Sequence, residues 1–492
     1  MSGTLKPPDS GVTVRMYRHG FGDCFLLAFS GTKKNKPCYV LIDCGVKYQS
    51  SPGMQNLKGV AENIKKATGG HIDILVITHE HYDHLAGFDQ KYSSVSKTIF
   101  DSMSFDEVWV AWIAELGNQY EYNPHLLLHF QYQALLEAGN RLKATGIKAY
   151  ADCADRVFEL IYDSVLSGNA FDYVLKRVPL PRYLKPGDPP ILVEKIPKIR
   201  VYVLGPPADP DYLKDMKPGE DSDVYEPIHF APDEDLIFSA SIMESRKKPL
   251  PRVWKDWPKN LHPFDKRLEI GVDEAKDPKL AEKKIGEKLA DFFIKKYGFD
   301  DKEEGNGDKW RRIDNDWLTA AEALALKLEY VVNNTSLALA IEFIDSGKVL
   351  LFSADAQIGN IRSWHEYTWT IEEKPVKIDK LLERTVLYKV GHHGSHNATL
   401  KNMELELMKS PDLVAMIPLT DKEETGVGYN GIPHIPLLDE LNIKAKGRVI
   451  RSDHGIENIV ENKPAMLSVQ EWDAFKKMTD QTKLYIDLKI ED

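Results

Sequence analysis

The sequence predicts an α/β sandwich, built as one domain that two insertions interrupt. Three observations carry this. Strand-like runs gather near the start of the chain and return after residue 336. The run Ile72-Asp73-Ile74-Leu75-Val76-Ile77 is nearly continuously β-branched, as a strand buried on both faces is. The stretches between, 115–195 and 208–330, turn helical or heavily charged. The domain is therefore expected over 11–460, with its core at about 11–110, 196–207 and 331–460. Residues 461–492 are expected as a C-terminal extension.

In chain order, Val12–Tyr17, Cys24–Phe29 and Cys38–Ile42 are separated by turn-rich pieces at 18–23 and 31–37, which reads as a meander. A helix is expected over Leu57–Thr68, stopped by Gly69-Gly70. The strand at 72–77 then feeds the polar segment Thr78-His79-Glu80-His81-Tyr82-Asp83-His84, and such a strand end is where α/β proteins place chemistry. Apolar spacings of three and four predict helices over Pro124–Ala144 and Tyr150–Leu166 in the first insertion. A strand, Ile199–Leu204, stops at Gly205-Pro206-Pro207. The second insertion is Pro-rich and charged, with a mixed-charge helix over 280–297. A further helix, Trp317–Val331, follows Asp314-Asn315-Asp316, good N-cap chemistry. Leu337–Ile344 and Val349–Phe352 form a hairpin around Asp345-Ser346-Gly347, and strands at 386–390, 414–417 and 448–450 complete the pattern.

Composition removes several classes. With 42% hydrophobic residues in 492, the chain can bury a sizeable core. Sixty-four Lys and Arg against 75 Asp and Glu leave a net charge of −11, which argues against coating nucleic acid or anionic membrane by bulk charge. No apolar run is long enough to span a bilayer, and the polar segment Met1–Ser10 has no signal-peptide core. Cys24, Cys38, Cys44 and Cys153 make neither a disulfide framework nor a metal knuckle. The expectation is a soluble cytoplasmic protein without membrane partners.

The strongest chemical signal is His79-x-His81-x-Asp83-His84. In an extended loop, residues two apart project to one side, so His79 and His81 can grip one ion, while Asp83 and His84 face a neighbouring position. Imidazole and carboxylate suit Zn²⁺, Mn²⁺ or Fe. Asp355 closes the strand at 349–352 and His392-His393 follow the strand at 386–390. Alone, Asp355 reads first as a turn residue, and the His pair as readily structural as ligating. Their place after the first cluster makes them candidates for a second ion, because a carboxylate can bridge two cations.

Four motifs resemble the metallo-β-lactamase fold superfamily, and within it the soluble domain of ComEC-type DNA-uptake proteins: Gly20-Phe21-Gly22-Asp23-Cys24, Leu41-Ile42-Asp43-Cys44-Gly45, the His-x-His-x-Asp-His signature and Gly391-His392-His393-Gly394-Ser395. Asn333-Asn334-Thr335-Ser336-Leu337 is similar to the Asn-Asn-x-Ser step of that group. The resemblance implies an αββα sandwich and two divalent ions, zinc first, with manganese or iron as alternatives. It implies that His79 and His81 hold the first ion, that Asp83, His84 and His393 hold the second, and that Asp355 bridges them. Asp43 would orient a ligating histidine from behind. His392 would face substrate as a catalytic group, an order with His393 that could be reversed, and Asp83 would orient the metal-bound hydroxide. His434, in Gly431-Ile432-Pro433-His434, would be a substrate-binding residue at the site's edge, or else a structural loop histidine. One departure stands out: the third histidine usual for the first ion is replaced by Gly205-Pro206-Pro207, and His229, flanked by Ile228 and Phe230, reads first as a structural histidine and only second as a residue reaching back.

The expected reaction is hydrolysis by a metal-bound hydroxide, first on phosphodiesters or phosphate esters, nucleic acid included. The alternatives are hydrolysis of carboxyl derivatives (thioester, lactone or β-lactam) and a non-catalytic metal-binding interaction module. The run Arg246–Lys259 interleaves six cations with Trp254 and Trp257, the composition of a single-strand channel or of a solvated Pro-rich loop. The 208–330 insertion is also a candidate contact for a protein partner.

Overall fold

The computed structural model describes residues 4–32, 36–47, 51–89, 94–115, 124–213, 316–420 and 431–492, with single positions at 215, 239, 242 and 279. The helix expected at 280–297, His229 and the basic run 246–259 lie outside the described residues. Chain contacts divide the protein into two units, one comprising Met1–Leu128, Glu159–Pro232 and Leu326–Asp492, the other His129–Phe158 and Asp233–Ala325.

The first unit contains every strand found among the described residues. In chain order these are β1 (Gly11–Tyr17), β2 (Phe25–Phe29), β3 (Cys38–Ile42), β4 (His71–Val76), β5 (Ser104–Ala111), β6 (Arg182–Leu184), β7 (Ile191–Leu192), β8 (Ile199–Val203), β9 (Leu339–Phe343), β10 (Val349–Phe352), β11 (Thr368–Ile371), β12 (Lys374–Lys377), β13 (Thr385–Lys389), β14 (Val414–Ile417), β15 (Val449–Arg451), β16 (Thr479–Gln481) and β17 (Tyr485–Glu491). They form one sheet in the order β16-β17-β1-β2-β3-β4-β5-β6, a second in the order β15-β14-β13-β10-β9-β8-β7, and the ribbon β11-β12.

Because side chains alternate across a strand, each sheet offers two apolar faces. Val14, Leu27 and Ile74 of the first sheet share one core with Leu339, Leu350 and Val414 of the second. Phe25 meets Phe352 edge-on across that layer, centroids 5.8 Å apart. The opposite face of the first sheet, with Leu26, Leu41 and Leu75, packs on Leu57, Val60 and Ile64 of the helix Ser51–Thr68. The opposite face of the second sheet, with Ala340, Leu351 and Tyr388, packs on Ile361 and Trp364 and on Leu437 and Leu441. The layers therefore run helix, sheet, sheet, helix. This also explains why the strands read as unbroken apolar runs: both faces are covered.

Segment 461–492 contributes more than a tail. Its helix Val469–Met478 leads into β16 and β17, and β17 pairs antiparallel with β1 from Gly11↔Glu491 to Tyr17↔Tyr485. The Arg15 guanidinium donates to both carboxylate oxygens of Asp487, at 2.7 Å each. The 115–195 insertion supplies the helices Pro124–Ala144 and Lys148–Leu175 and the short edge strands β6 and β7. The second unit, taken by itself, buries Leu135, Ala138, Leu142, Ala154, Leu318 and Ala321 and joins Arg156 to Glu322 at 2.6 Å. No helix among the described residues is long and apolar enough to cross a membrane.

Candidate metal centre

β3 runs parallel to β4, and β10, β13 and β14 run parallel to one another. Parallel strands release their loops at the same edge, the usual place for a ligand in an α/β sheet. Here the carboxyl ends of the five strands release Asp43, Thr78–His84, Asp355, His392-His393 and Pro418.

Backbone contacts draw these loops together. The Asp23 N–H donates to Asp83 O, Gly45 N–H to Asp23 O, and Cys44 N–H to His84 O, each at 3.0 Å. The approach requires glycine. A Cβ on Gly45 would lie 2.2 Å from the Asp83 carbonyl carbon, and one on Gly22, whose φ is +153°, would lie 2.5 Å from Gly45 O.

His84 lies at the centre. Asp43 Oδ2 accepts from Thr78 Oγ1 at 2.7 Å and from His84 Nδ1 at 2.8 Å, while Asp43 Oδ1 accepts the Thr78 N–H at 2.9 Å. With Nδ1 donating, His84 Nε2 is left as a lone-pair donor 3.3 Å from Asp355 Oδ2. His393 is fixed the same way: Nδ1 donates to Pro418 O at 2.6 Å, leaving Nε2 3.3 Å from Asp83 Oδ2 and 3.7 Å from Asp355 Oδ2. Phe21 packs on the His393 ring, centroids 4.2 Å apart. His79 Nε2 lies 3.0 Å from His81 Nδ1, and His81 Nε2 lies 3.5 Å from Glu329 Oε2. His392, held at φ +40°, keeps 15% of its side chain exposed, with Nδ1 3.2 Å from Gln357 Nε2 and Nε2 3.9 Å from Asp355 Oδ2.

The structure thus brings His79, His81, Asp83, His84, Asp355, His392, His393 and Asp43 to one edge. His434 is positioned by its backbone, which donates to Gly394 O at 2.8 Å, and its ring lies 6.1 Å from that of His396. Three neighbours went unforeseen. Asp23 sits inside the Gly20–Cys24 motif, so its signal was present. Lys389 ends β13 fully buried, its ammonium 2.5 Å from Asp23 Oδ2, 2.8 Å from Ala354 O and 3.3 Å from Asp355 Oδ1. Glu329 comes from the helix Ala320–Asn334.

One atom each from Asp23, His84, Asp355 and His393 lie within 4.8 Å of one another. Asp23 Oδ1, His81 Nε2, His84 Nε2 and Asp355 Oδ2 are buried and make no hydrogen bond. Each such atom costs about 1–3 kcal/mol if left without a partner. Asp23, His84 and Asp355 belong to that converging group, and with His393 they form a donor set able to hold a divalent cation.

Electrostatics divide the histidines. Burial holds His79 well below the usual imidazole value, with His84 and His81 adding to the effect, and burial pushes His81 and His392 down to about 4. Burial also opposes charge on His84, but Asp355, Asp83, Asp43 and Asp23 outweigh it and hold that ring well above its ordinary value. His393 is raised against burial by Asp355 and Asp83. Asp355 is kept well below the carboxylate range, again against burial, by His84, Lys389 and His393. Asp83 is lowered in the same manner by His84 and His393.

Residues 19–90 match the family model of the Metallo-beta-lactamase superfamily. The matched segment contains Asp23, Asp43 and the entire His79–His84 motif, and the mixed α/β architecture fits that assignment. Members of this superfamily normally bind divalent metals, and the His and Asp cluster is able to hold one. No curated protein matches the chain.

Proposed function

We propose that the chain is a metal-dependent hydrolase acting on phosphodiesters or phosphate esters, nucleic acid among them. The observation that carries the metal dependence is the convergence of Asp23, His84, Asp355 and His393, in which Asp23 Oδ1, His84 Nε2 and Asp355 Oδ2 are buried without a hydrogen bond. In this reading His79 and His81 would hold one ion and Asp83, His84 and His393 the other, with Asp355 as a further carboxylate ligand. Divalent ions held there, zinc first, supply Lewis acidity and bring the pKa of water toward neutrality.

The chain's own groups divide the remaining work. Asp83, 3.3 Å from His393 Nε2, orients the attacking water. Asp43 fixes the His84 tautomer through the 2.8 Å contact. Lys389 sets its charge against the carboxylates of Asp23 and Asp355 and helps hold Asp355 well below the carboxylate range. His392, the partly exposed member, sits in the Gly391–Ser395 turn where it can contact a phosphate oxygen or the leaving group. That turn supports the phosphate-ester reading over an acyl one. His434 borders the substrate path through its bond to Gly394, and the second insertion remains the segment proposed to meet a partner. Cytoplasmic residence belongs to the same proposal.

The test is turnover of bis(p-nitrophenyl) phosphate with added Zn²⁺ or Mn²⁺, beside p-nitrophenyl acetate and a thioester. Diester cleavage that falls at least a hundredfold in Asp355→Ala, with loss of bound metal, is the expected result. Acyl turnover without diester turnover would instead favour the carboxyl-derivative reading. Metal binding without turnover of any of these substrates would favour the non-catalytic module.

A further inference from the structure

We propose that Gln357 is a positioning residue that fixes His392 as an Nε2–H donor toward substrate and so keeps that ring off the metal. The inference rests on the phosphate-ester reading above and deepens it. Two adjacent histidines in one turn face Asp355 Oδ2, His392 Nε2 from 3.9 Å and His393 Nε2 from 3.7 Å. Distance alone hardly separates them; their Nδ1 partners do. A neutral imidazole carries one hydrogen, and the bond made at Nδ1 decides which nitrogen has it. At His393, Nδ1 meets the Pro418 carbonyl oxygen at 2.6 Å, an atom that can only accept. Nδ1 therefore holds the hydrogen and Nε2 the lone pair. At His392, Nδ1 meets the Gln357 amide nitrogen at 3.2 Å, an atom that can only donate. Here Nδ1 gives the lone pair, the hydrogen sits on Nε2, and Nε2 has nothing to offer a cation.

The amide's own orientation agrees. Gln357 is buried, and its Oε1 makes no hydrogen bond. Turned over, the amide would place that oxygen on His392 and leave an NH₂ group, with two donors, buried without a partner. An orphaned buried N–H is a rarer defect than an under-satisfied carbonyl oxygen. The backbone holds both residues in register. The His392 N–H donates to Ala354 O at 3.1 Å, and Gln357 O accepts the Ile361 N–H at 2.9 Å as the helix Ile358–Trp364 begins. The 3.9 Å from His392 Nε2 to Asp355 Oδ2 is too long for a hydrogen bond, so that contact does not consume the Nε2–H. His392 also lies outside the group Asp23, His84, Asp355 and His393 whose donor atoms converge within 4.8 Å. Its ring, the partly exposed one, can present Nε2–H to a non-bridging phosphate oxygen, a charged acceptor.

The experiment reads the tautomer directly, on the full metal-free chain carrying ¹⁵N in its histidine rings. Two-bond ¹⁵N–¹H couplings tell which ring nitrogen bears hydrogen, and the His392 signals are those missing from His392→Asn. The parent is expected to carry the His392 hydrogen on Nε2. Gln357→Met keeps the length of the side chain and removes the donor. It should shift the Nδ1 resonance and raise KM for bis(p-nitrophenyl) phosphate about tenfold with kcat little changed, the sign of a contact made equally in bound substrate and transition state. His392→Asn should bind as many Zn²⁺ ions as the parent by elemental analysis. Hydrogen on Nδ1 of His392, an ion lost from His392→Asn, or an unmoved resonance and KM in Gln357→Met would each overturn the assignment. The parent spectrum and the ion count decide it even where Gln357→Met fails to fold. A parent with hydrogen on Nε2 and no diester turnover would overturn the phosphate-ester reading while the role of Gln357 stands.

Discussion

His84 Nδ1 stands 2.8 Å from Asp43 Oδ2, and neither side chain has any solvent exposure. The contact decides which face of the imidazole carries the lone pair, and so what Nε2 can bind. Asp43 lies at φ +55°, a left-handed conformation that asparagine also tolerates. Asp43→Asn should therefore fold, yet its amide can donate to Nδ1 and turn the Nε2 face into a donor aimed at Asp355. We expect metal affinity to fall about 10- to 100-fold, measured by chelator competition, with an unchanged circular dichroism spectrum.

Metal uptake should release protons. In the metal-free protein, the surrounding carboxylates hold His84 well above its ordinary pKa and raise His393, whereas a ligating imidazole must be neutral. Affinity should accordingly rise with pH until these raised values are passed. The stability of the metal-free protein runs the opposite way. The contribution of a raised histidine is complete below its unfolded pKa of about 6.5 and is lost as pH climbs through the folded value. Calorimetric titration with Zn²⁺ near pH 7, in two buffers of different ionisation enthalpy, should show at least one proton released. Identical heats in both buffers would contradict this.

Lys389 is a buried cation, and burial alone would lower its pKa; Asp23 and Asp355 more than reverse that. Lys389→Met keeps the apolar stem and deletes the charge. Two carboxylates then face one another without it, and the metal-free protein should lose about 3–5 kcal/mol in urea unfolding. Saturating Zn²⁺ should return part of this, because the ion supplies the missing positive charge. An equal loss with and without Zn²⁺ would show that Lys389 and the ion do not share those carboxylates.

Away from the centre, burial pushes Glu404 up to about 8, although its Oε2 accepts the Leu400 N–H at 3.1 Å. The folded protein thus holds a proton there that the unfolded chain gives up above about pH 4.5. Stability should fall as pH rises between these two values and level off above the upper one. Glu404→Gln cannot ionise. It should flatten this slope and gain roughly 3 kcal/mol at pH 9, read from denaturant midpoints.

Local pattern made much of the fold legible. The β-branched run at 72–77, the turns around it and the hairpin at 337–352 each announce themselves within a few residues. So does the cluster from His79 to His84, because four donors come from one loop. Asp355 and His393 could be joined to it only through their places at the ends of later strands. Lys389 was invisible for a physical reason: in Thr385-Val386-Leu387-Tyr388-Lys389 it looks like the solvated end of a strand, and only the crossing of other chain segments buries it. Glu329 is hidden likewise among the polar positions of a helix. β7 has two residues and too little length to show a period. β17 was readable, since Ile486, Leu488 and Ile490 alternate strictly with polar residues, yet its remoteness from the motifs made it look dispensable.

The pairing of β1 with β17 has a temporal cost. Arg15 and Asp487 are 472 positions apart. A ribosome adding about 5–20 residues per second needs roughly half a minute or longer to make that stretch. Throughout that interval β1 has one edge of its N–H and C=O groups open to any other extended chain. In the cell, this protein should therefore depend on chaperone shelter of β1 until β17 has been made.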